Sequence, residues 1–438
     1  MSIRTSSSAS SDVPTESPRD HSGAGVADTD TPDLAGSRFG RIRRLAGGSF
    51  FTIAFLARLP LAMLTVGALT LVTAASGSYA TGGFAAGAVG IGSAIGAPVV
   101  GFLADRLGQR GVLLTTAVLN PLAIAATLLG AAALEPDTAP WAVLAACLLM
   151  GASTPQVGPM ARVRWMALTS RRGSAQDLDT ALSYEGTADE LTFVLGPALV
   201  GLLASVVAPW LPLALAALLT ASMVTAFALH PTAGVVNAGR SGKAAPAPLS
   251  LRTGATVAVP VLGMLAIGTF FGSMQTSLTA FSGSFGMTSA AGLLYAVMGL
   301  SSAAAALSVA YWPARIGPVA RWLLSSAGMF ALVWLVLLPA DVPTMVVALF
   351  VLGIPVGPTM VSIFAVGSVV APRHLVGTVM TLLASGTVAG TALGSALAGP
   401  LAEAHGHGAS LLVPAGAATA MLLLSLAAHL VLRRTARS

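Results

Sequence analysis

Three carboxylates fall within six residues of an otherwise apolar stretch, Tyr184-Glu185-Gly-Thr-Ala-Asp189-Glu190-Leu-Thr-Phe193. On a helix, Glu185 and Asp189 are four apart and share a face, while Glu190 points about 100° round. The one basic residue set deep in an apolar run is Arg58, and Arg162 and Arg164 stand at the end of another run, from which they could reach Glu185. Arginine stays charged at any accessible pH, so only the carboxylates can exchange a proton. Three carboxylates facing one to three arginines leave one group to take up and release a proton, which is the chemistry of a proton-coupled carrier. A static ion-pair cluster pinning the helices is the other reading. Asp189 is the first candidate, then Glu190 and Glu185, with Arg58 and Arg162 as their charge partners.

Softer groups follow later in the chain. Phe271, Met274 and Gln275, with Tyr295 and Met298, are candidates to line a cavity for an amphipathic organic molecule. The only asparagines are Asn120 and Asn237, too few amides for a sugar site. His405-Gly-His407, with Glu403 nearby, is expected in an outer loop and is a poor metal site without a third ligand. There is no Gly-rich phosphate loop with a lysine, and no nucleophile–base pair, so neither ATP drive nor enzymatic catalysis is indicated. No cofactor is expected. The single cysteine, Cys147, rules out a disulfide framework.

The elements that must hold these residues are membrane spans. Of 438 residues, 55% are hydrophobic and only 9% charged, with a mean hydropathy of +0.84. A soluble domain carries roughly a quarter charged residues, so the solvent here is mostly lipid. The pI of about 10.4 reflects basic loops on one side rather than a nucleic-acid partner. Twelve apolar segments are long enough to cross a ~30 Å core: 48–73, 81–104, 111–134, 139–160, 178–205, 209–229, 254–278, 287–310, 319–339, 343–367, 374–400 and 409–432. With the N-terminus inside, all 22 Lys and Arg residues except Arg58 fall in inner loops or tails, and the outer loops carry only Glu135, Asp137, Asp341 and Glu403. Arg58 and Asp189 each lie about ten residues into parallel spans, so both sit roughly 15 Å deep and an ion pair between them is expected.

The chain divides into a Ser/Thr/Gly-rich tail (1–46), a six-helix unit (47–230), a linker with Arg240 and Lys243 (231–252), a second six-helix unit (253–432) and a short tail (433–438). Pro155-Gln-Val-Gly158-Pro159-Met160 is echoed by Pro355-Val-Gly357-Pro358-Thr-Met360, and Gly186-Thr187 by Gly386-Thr387. Both echoes recur about 200 residues on, as a parallel duplication would place them.

Between the second and third apolar runs lies Gly101-Phe-Leu-Ala-Asp105-Arg106-Leu-Gly108-Gln-Arg110-Gly-Val-Leu-Leu114. This charged turn resembles the inner loop between helices two and three of the major facilitator superfamily, with Gln109 where a basic residue is common. Its counterpart in the second half, Pro313 to Arg321, has no Asp. Gly196-Pro197 resembles the Gly-Pro motif of that family's drug and metabolite antiporters, although a single Gly201 stands where paired glycines are usual. The resemblance implies an all-α membrane protein of twelve helices in two pseudo-symmetric bundles, in which Asp105 meets span eleven and steadies the outward-facing state. It also implies a monomeric secondary transporter of the inner or plasma membrane, both termini cytoplasmic, that exports an organic or drug-like solute in exchange for protons. A proton-coupled importer and a non-transporting receptor are the alternatives.

Overall fold

A computed structural model of the chain describes residues 37–77, 79–134, 140–172, 175–237, 251–285, 291–313 and 315–435. Among the described residues, twelve helices are long and apolar enough to cross a bilayer: Gly48–Ser76, Thr81–Leu107, Gln109–Ala132, Trp141–Arg171, Ala175–Ala204, Leu211–Leu229, Gly254–Gly283, Ala291–Tyr311, Pro318–Leu337, Val342–Val370, Val376–Ser410 and Leu412–Leu430. These are spans 1 to 12 below. They are helical because lipid offers the backbone no hydrogen bonds, and a helix satisfies every N–H and C=O internally. Large side chains such as Phe84, Leu122, Leu129, Val347 and Leu430 face outward, where hydrocarbon rather than water covers them.

Packing shows the duplication. Span 2 lies on span 4 as span 8 lies on span 10, and span 1 lies on span 5 as span 7 lies on span 11. Between the halves, span 2 meets span 11 and span 5 meets span 8, two contacts that exchange when six is added to each number. Each half has its own apolar core, and a small cluster of Leu182, Ala306, Val309, Val361 and Ala365 bridges them.

Two spans are broken. Span 1 leaves the helix at Ala57–Arg58, just before Pro60, and span 4 unwinds over Ser153–Gln156, between Ala152 and the restart at Val157. Pro60, Pro155 and Pro159 each lack the N–H that an unbroken ladder requires. Span 10 stays continuous through Pro355 and Pro358, so the echoed Pro-Gly-Pro sequence opens the helix in one half only.

Several boundaries differ from the sequence reading. Span 4 runs on to Arg171, so Arg162 and Arg164 are buried in the bundle rather than held in a loop. Span 11 runs ten residues further, to Ser410, and takes in His405 and His407 across a kink at Gly406 (φ 78°). His407 packs edge-on against Phe281, with ring centroids 5.2 Å apart, and no cluster of three metal-ligating side chains occurs among the described residues. Glu135, Asp137, Arg240 and Lys243 lie outside the described residues.

Candidate functional site: a buried charge cluster between the halves

Arg58 occupies the break in span 1, at the start of its second helical segment. Its Nη2 is bonded to Glu185 Oε2, and its Nη1 lies 3.6 Å from Asp189 Oδ1. Arg162, one turn past the break in span 4, donates to Asp189 Oδ2 at 2.6 Å. The second oxygen of Glu185 accepts from the indole N–H of Trp165 at 2.7 Å. Glu185 is fully buried, and Arg58, Arg162 and Trp165 nearly or wholly so. The expected pairing of Arg58 with Asp189 is present, with Glu185 as the closer partner.

Two expectations need correction. Arg162 pairs with Asp189 and not with Glu185, because Arg58 and Trp165 already take both oxygens of Glu185. Arg164 points to the other side of span 4. It donates to Gln109 Oε1 (3.0 Å), the Phe227 carbonyl (2.8 Å) and Thr232 (3.1 Å), and it stacks over the Phe227 ring. Gln109 is thus an acceptor for a buried arginine, which explains a neutral residue at that point of the loop: a basic one would face Arg164.

Glu190 stands apart from the arginines. It is buried on the face of span 5 that meets span 8, beside the hydroxyls of Ser302 and Tyr295, and its Oε1 has no hydrogen-bond partner. The other charged members of the cluster, Arg58, Arg162, Glu185 and Asp189, all belong to the first half. Rigid rocking of the halves would not separate them.

The cluster borders a cavity at the seam of the two halves. The first half supplies Arg58, Ser93, Gln156, Gly158, Arg162, Asp189 and Phe193 to its wall, and the second supplies Met264, Met360, Phe364, Ser385 and Thr387. Arg162 lies over the Phe364 ring at 3.6 Å from its centroid, a cation–π contact between the halves. The cavity holds about 50 Å³, room for a few waters and not for an organic solute. None of Phe271, Met274, Gln275, Tyr295 and Met298 lines it. Phe271, Met274 and Met298 pack in the core of the second half, Tyr295 packs against it, and Gln275 faces an open groove between spans 7 and 11. On span 7 the cavity is met by Met264, nearly two turns earlier than Phe271 and on the same face, so the two differ in depth along the helix.

The end of the bundle that carries Arg106, Arg110, Arg171 and Arg373, here the basic end, is shut. Asp105 accepts from the backbone N–H of Gly377 (2.9 Å), the backbone N–H of Thr378 (2.6 Å) and the Thr378 hydroxyl (2.8 Å). These groups form the first turn of span 11, whose own flanking residue Leu375 provides no side-chain cap. Asp105 therefore caps a helix of the opposite half. Gly101, one turn before it, packs so closely on span 11 that a Cβ would meet Thr381 Oγ1 at 2.1 Å. Gly108 adopts φ 99°, which turns the chain into span 3. Arg106 stacks on Phe102, and Arg110 is exposed. Arg321 on span 9 pairs with Asp179 on span 5 at 3.0 Å, a second clasp between the halves. A short helix, Arg38–Ala46, lies over both: Arg41 pairs with Asp177 in the first half, and Arg38 and Phe39 reach Ala310 and Tyr311 in the second. Away from this end, Gly196 seats span 5 against Ala62 of span 1, with Pro197 continuing the helix.

The family model of the Major Facilitator Superfamily matches residues 50–395, most of the chain. The chain belongs to the Major Facilitator Superfamily. Among solved structures of that fold it is similar to the human organic anion transporter MFSD10, with 18% identity over 87% of this chain and 99% of the other, at a TM-score of 0.66. It is also similar to an outward-facing bacterial homologue of the iron transporter ferroportin (16% identity, 86% and 99% coverage, TM-score 0.65). The transporter FucP in its outward conformation is a third (14%, 86% and 98%, 0.56). None of the curated protein sequences matches. Superfamily members are membrane transporters rather than enzymes, and twelve spans with a central cavity suit that role.

Trp165, Phe364 and Thr378 complete this site, and the sequence reading does not single them out. Trp165 follows Arg162 by three residues and so shares its face, a signal that was available. Gln109 was visible as a departure from the loop pattern. Phe364 and Thr378 act across the seam, and nothing local marks them.

Proposed function

We propose that this protein is a proton-coupled secondary transporter that exports a small organic solute by alternating access. The observation that carries the proposal is the Arg58–Glu185–Asp189–Arg162 network, kept inside the membrane at the breaks of two helices and exposed to a cavity between two rocking halves. Buried ionisable groups in a bilayer are costly, and broken helices at the midplane are where such folds place their sites. Export is the direction that the Gly196-Pro197 resemblance favours. The two bundles divide at residues 231–252, the basic end faces the cytoplasm, and the protein works as a monomer in the plasma or inner membrane. Reporter fusions after residue 240 and near residue 137 test the sidedness by reporting opposite compartments.

Among the carboxylates, Asp189 borders the solute cavity, whereas Glu190 lies in the seam that opens and closes. A carboxylate buried there without a cation is costly to hold, and a parting of the seam would change its access to water. Glu190 is thus the group whose proton occupancy follows the conformation, with Asp189 as the second candidate. The test measures solute and proton flux together in proteoliposomes under an imposed pH gradient. Glu190→Gln should abolish pH-driven flux while sparing solute exchange at equal pH. If Glu190→Gln, Asp189→Asn and Glu185→Gln each leave pH-driven flux unchanged, the coupling proposal fails.

A further inference from the structure

We infer that the solute is an organic anion, whose carboxylate docks on the free edges of Arg58 and Arg162. This inference rests on the transporter reading of the cavity and adds the class of its cargo. Both guanidiniums line the cavity, at 4% and 1% exposure. Arg58 commits Nη2 to Glu185, but its Nε and Nη1 have no hydrogen-bond partner, since 3.6 Å to Asp189 is too long for one. Arg162 commits Nη2 to Asp189 and leaves Nε free.

The carboxylates paired with them are better satisfied. Both oxygens of Glu185 are taken by Arg58 and Trp165, and Asp189 is held by Arg162 with Arg58 close by. Where the cluster borders the cavity, three buried nitrogens on permanent cations therefore lack a partner, Arg58 Nε and Nη1 and Arg162 Nε, against one weakly held acceptor, Asp189 Oδ1. Buried donors of that sort call for an acceptor, and a carboxylate matches the planar guanidinium edge with both charge and geometry. A cationic solute would find a single acceptor there, Asp189 Oδ1, set beside two fixed positive charges.

The rest of the wall describes the remainder of the molecule. Phe193, Met264, Met360 and Phe364 offer an apolar, partly aromatic surface. Ser385, on the second half, carries a buried hydroxyl without a partner and can meet one further polar group. Because the present cavity admits only water, docking accompanies a parting of the halves.

The test uses the full-length protein in detergent at one fixed pH, titrated by calorimetry with matched probes: benzoate and naphthoate, naphthamide, and naphthylmethylammonium. The carboxylates should bind at least about ten-fold tighter than the amide or the ammonium, the difference between a charge-assisted and a neutral hydrogen bond. Arg162→Lys should weaken the carboxylates by a similar factor and leave the amide unchanged. Equal or better binding of the amide or the ammonium overturns the proposal, and so does failure of both carboxylates to bind. The comparison among probes on the unaltered protein stands even where the variant does not fold. Since no gradient is involved, the result is separable from the coupling experiment. Carboxylate binding with proton-independent flux would remove the coupling alone, whereas proton-driven movement of a cation would remove the anion alone.

Discussion

Replacing Asp105 by Asn tests whether the charged turn holds the basic end shut. In the present conformation the carboxylate accepts three hydrogen bonds from the first turn of span 11, two from backbone N–H groups and one from the Thr378 hydroxyl. Asn keeps one acceptor and turns an NH2 toward the remaining donors. It loses one charge-assisted bond and strands a donor, together about 2–3 kcal/mol, and forfeits roughly 0.5 kcal/mol of attraction to the helix terminus. These contacts exist only while the halves meet at that end, so the loss of about 3 kcal/mol falls on the closed state alone. The ratio of closed to open molecules should drop roughly a hundredfold. Spin labels at Gly111→Cys and His374→Cys, both exposed positions flanking the clasp, report it in a Cys147→Ser background by electron–electron distance measurement. A second, longer distance should appear in Asp105→Asn and be minor without it. Superimposable distributions, with solute flux also unchanged, would refute the capping argument.

Arg58→Ala leaves the fully buried Glu185 facing only an indole N–H, and should cost about 3–5 kcal/mol of stability, read as a large fall in melting temperature. Trp165→Phe removes one charge-assisted hydrogen bond from the same carboxylate and should cost about 1.5–3 kcal/mol in the same assay. His230, just beyond the end of span 6, is held below the usual histidine range by burial and then by the charge of Arg164. The unfolded chain therefore takes up a proton that the folded one refuses, so stability should fall as pH drops through the ordinary histidine range. In His230→Gln that part of a melting-temperature profile should flatten. An unaltered profile would assign the acid sensitivity to other groups.

Much of the architecture could be read directly from the sequence, because lipid imposes one rule on every span. Length, hydropathy and the one-sided arginines gave twelve helices and their order, and the Asp105 turn pointed to span 11 through family resemblance. The cluster was legible for a related reason: Arg58, Glu185 and Asp189 are conspicuous wherever ionisable groups are costly. Their exact pairing was not. Spacing along one helix shows which residues share a face, but whether Arg162 meets Glu185 or Asp189 depends on the break at Ser153–Gln156 and on Trp165 arriving first. The cavity candidates of the second half are a different case. Phe271, Met274 and Met298 look like a binding surface by type, yet they share one apolar core with Met264, Met360 and Phe364, and only the position of the cavity separates the two sets.

The continuous helix at Pro355 and Pro358, set against the unwound segment at Pro155, divides the two halves by material character. One body contains the two breaks and every ionisable side chain that lines the cavity; the other lines it with unbroken helix and uncharged side chains. A carrier built this way can exchange one wall for another without disturbing its charges. Descendants of the same ancestor could then diverge in the shape of molecule they accept by altering Met264, Met360, Phe364 and Ser385, while the sign of the charge they accept stays fixed by the partner body.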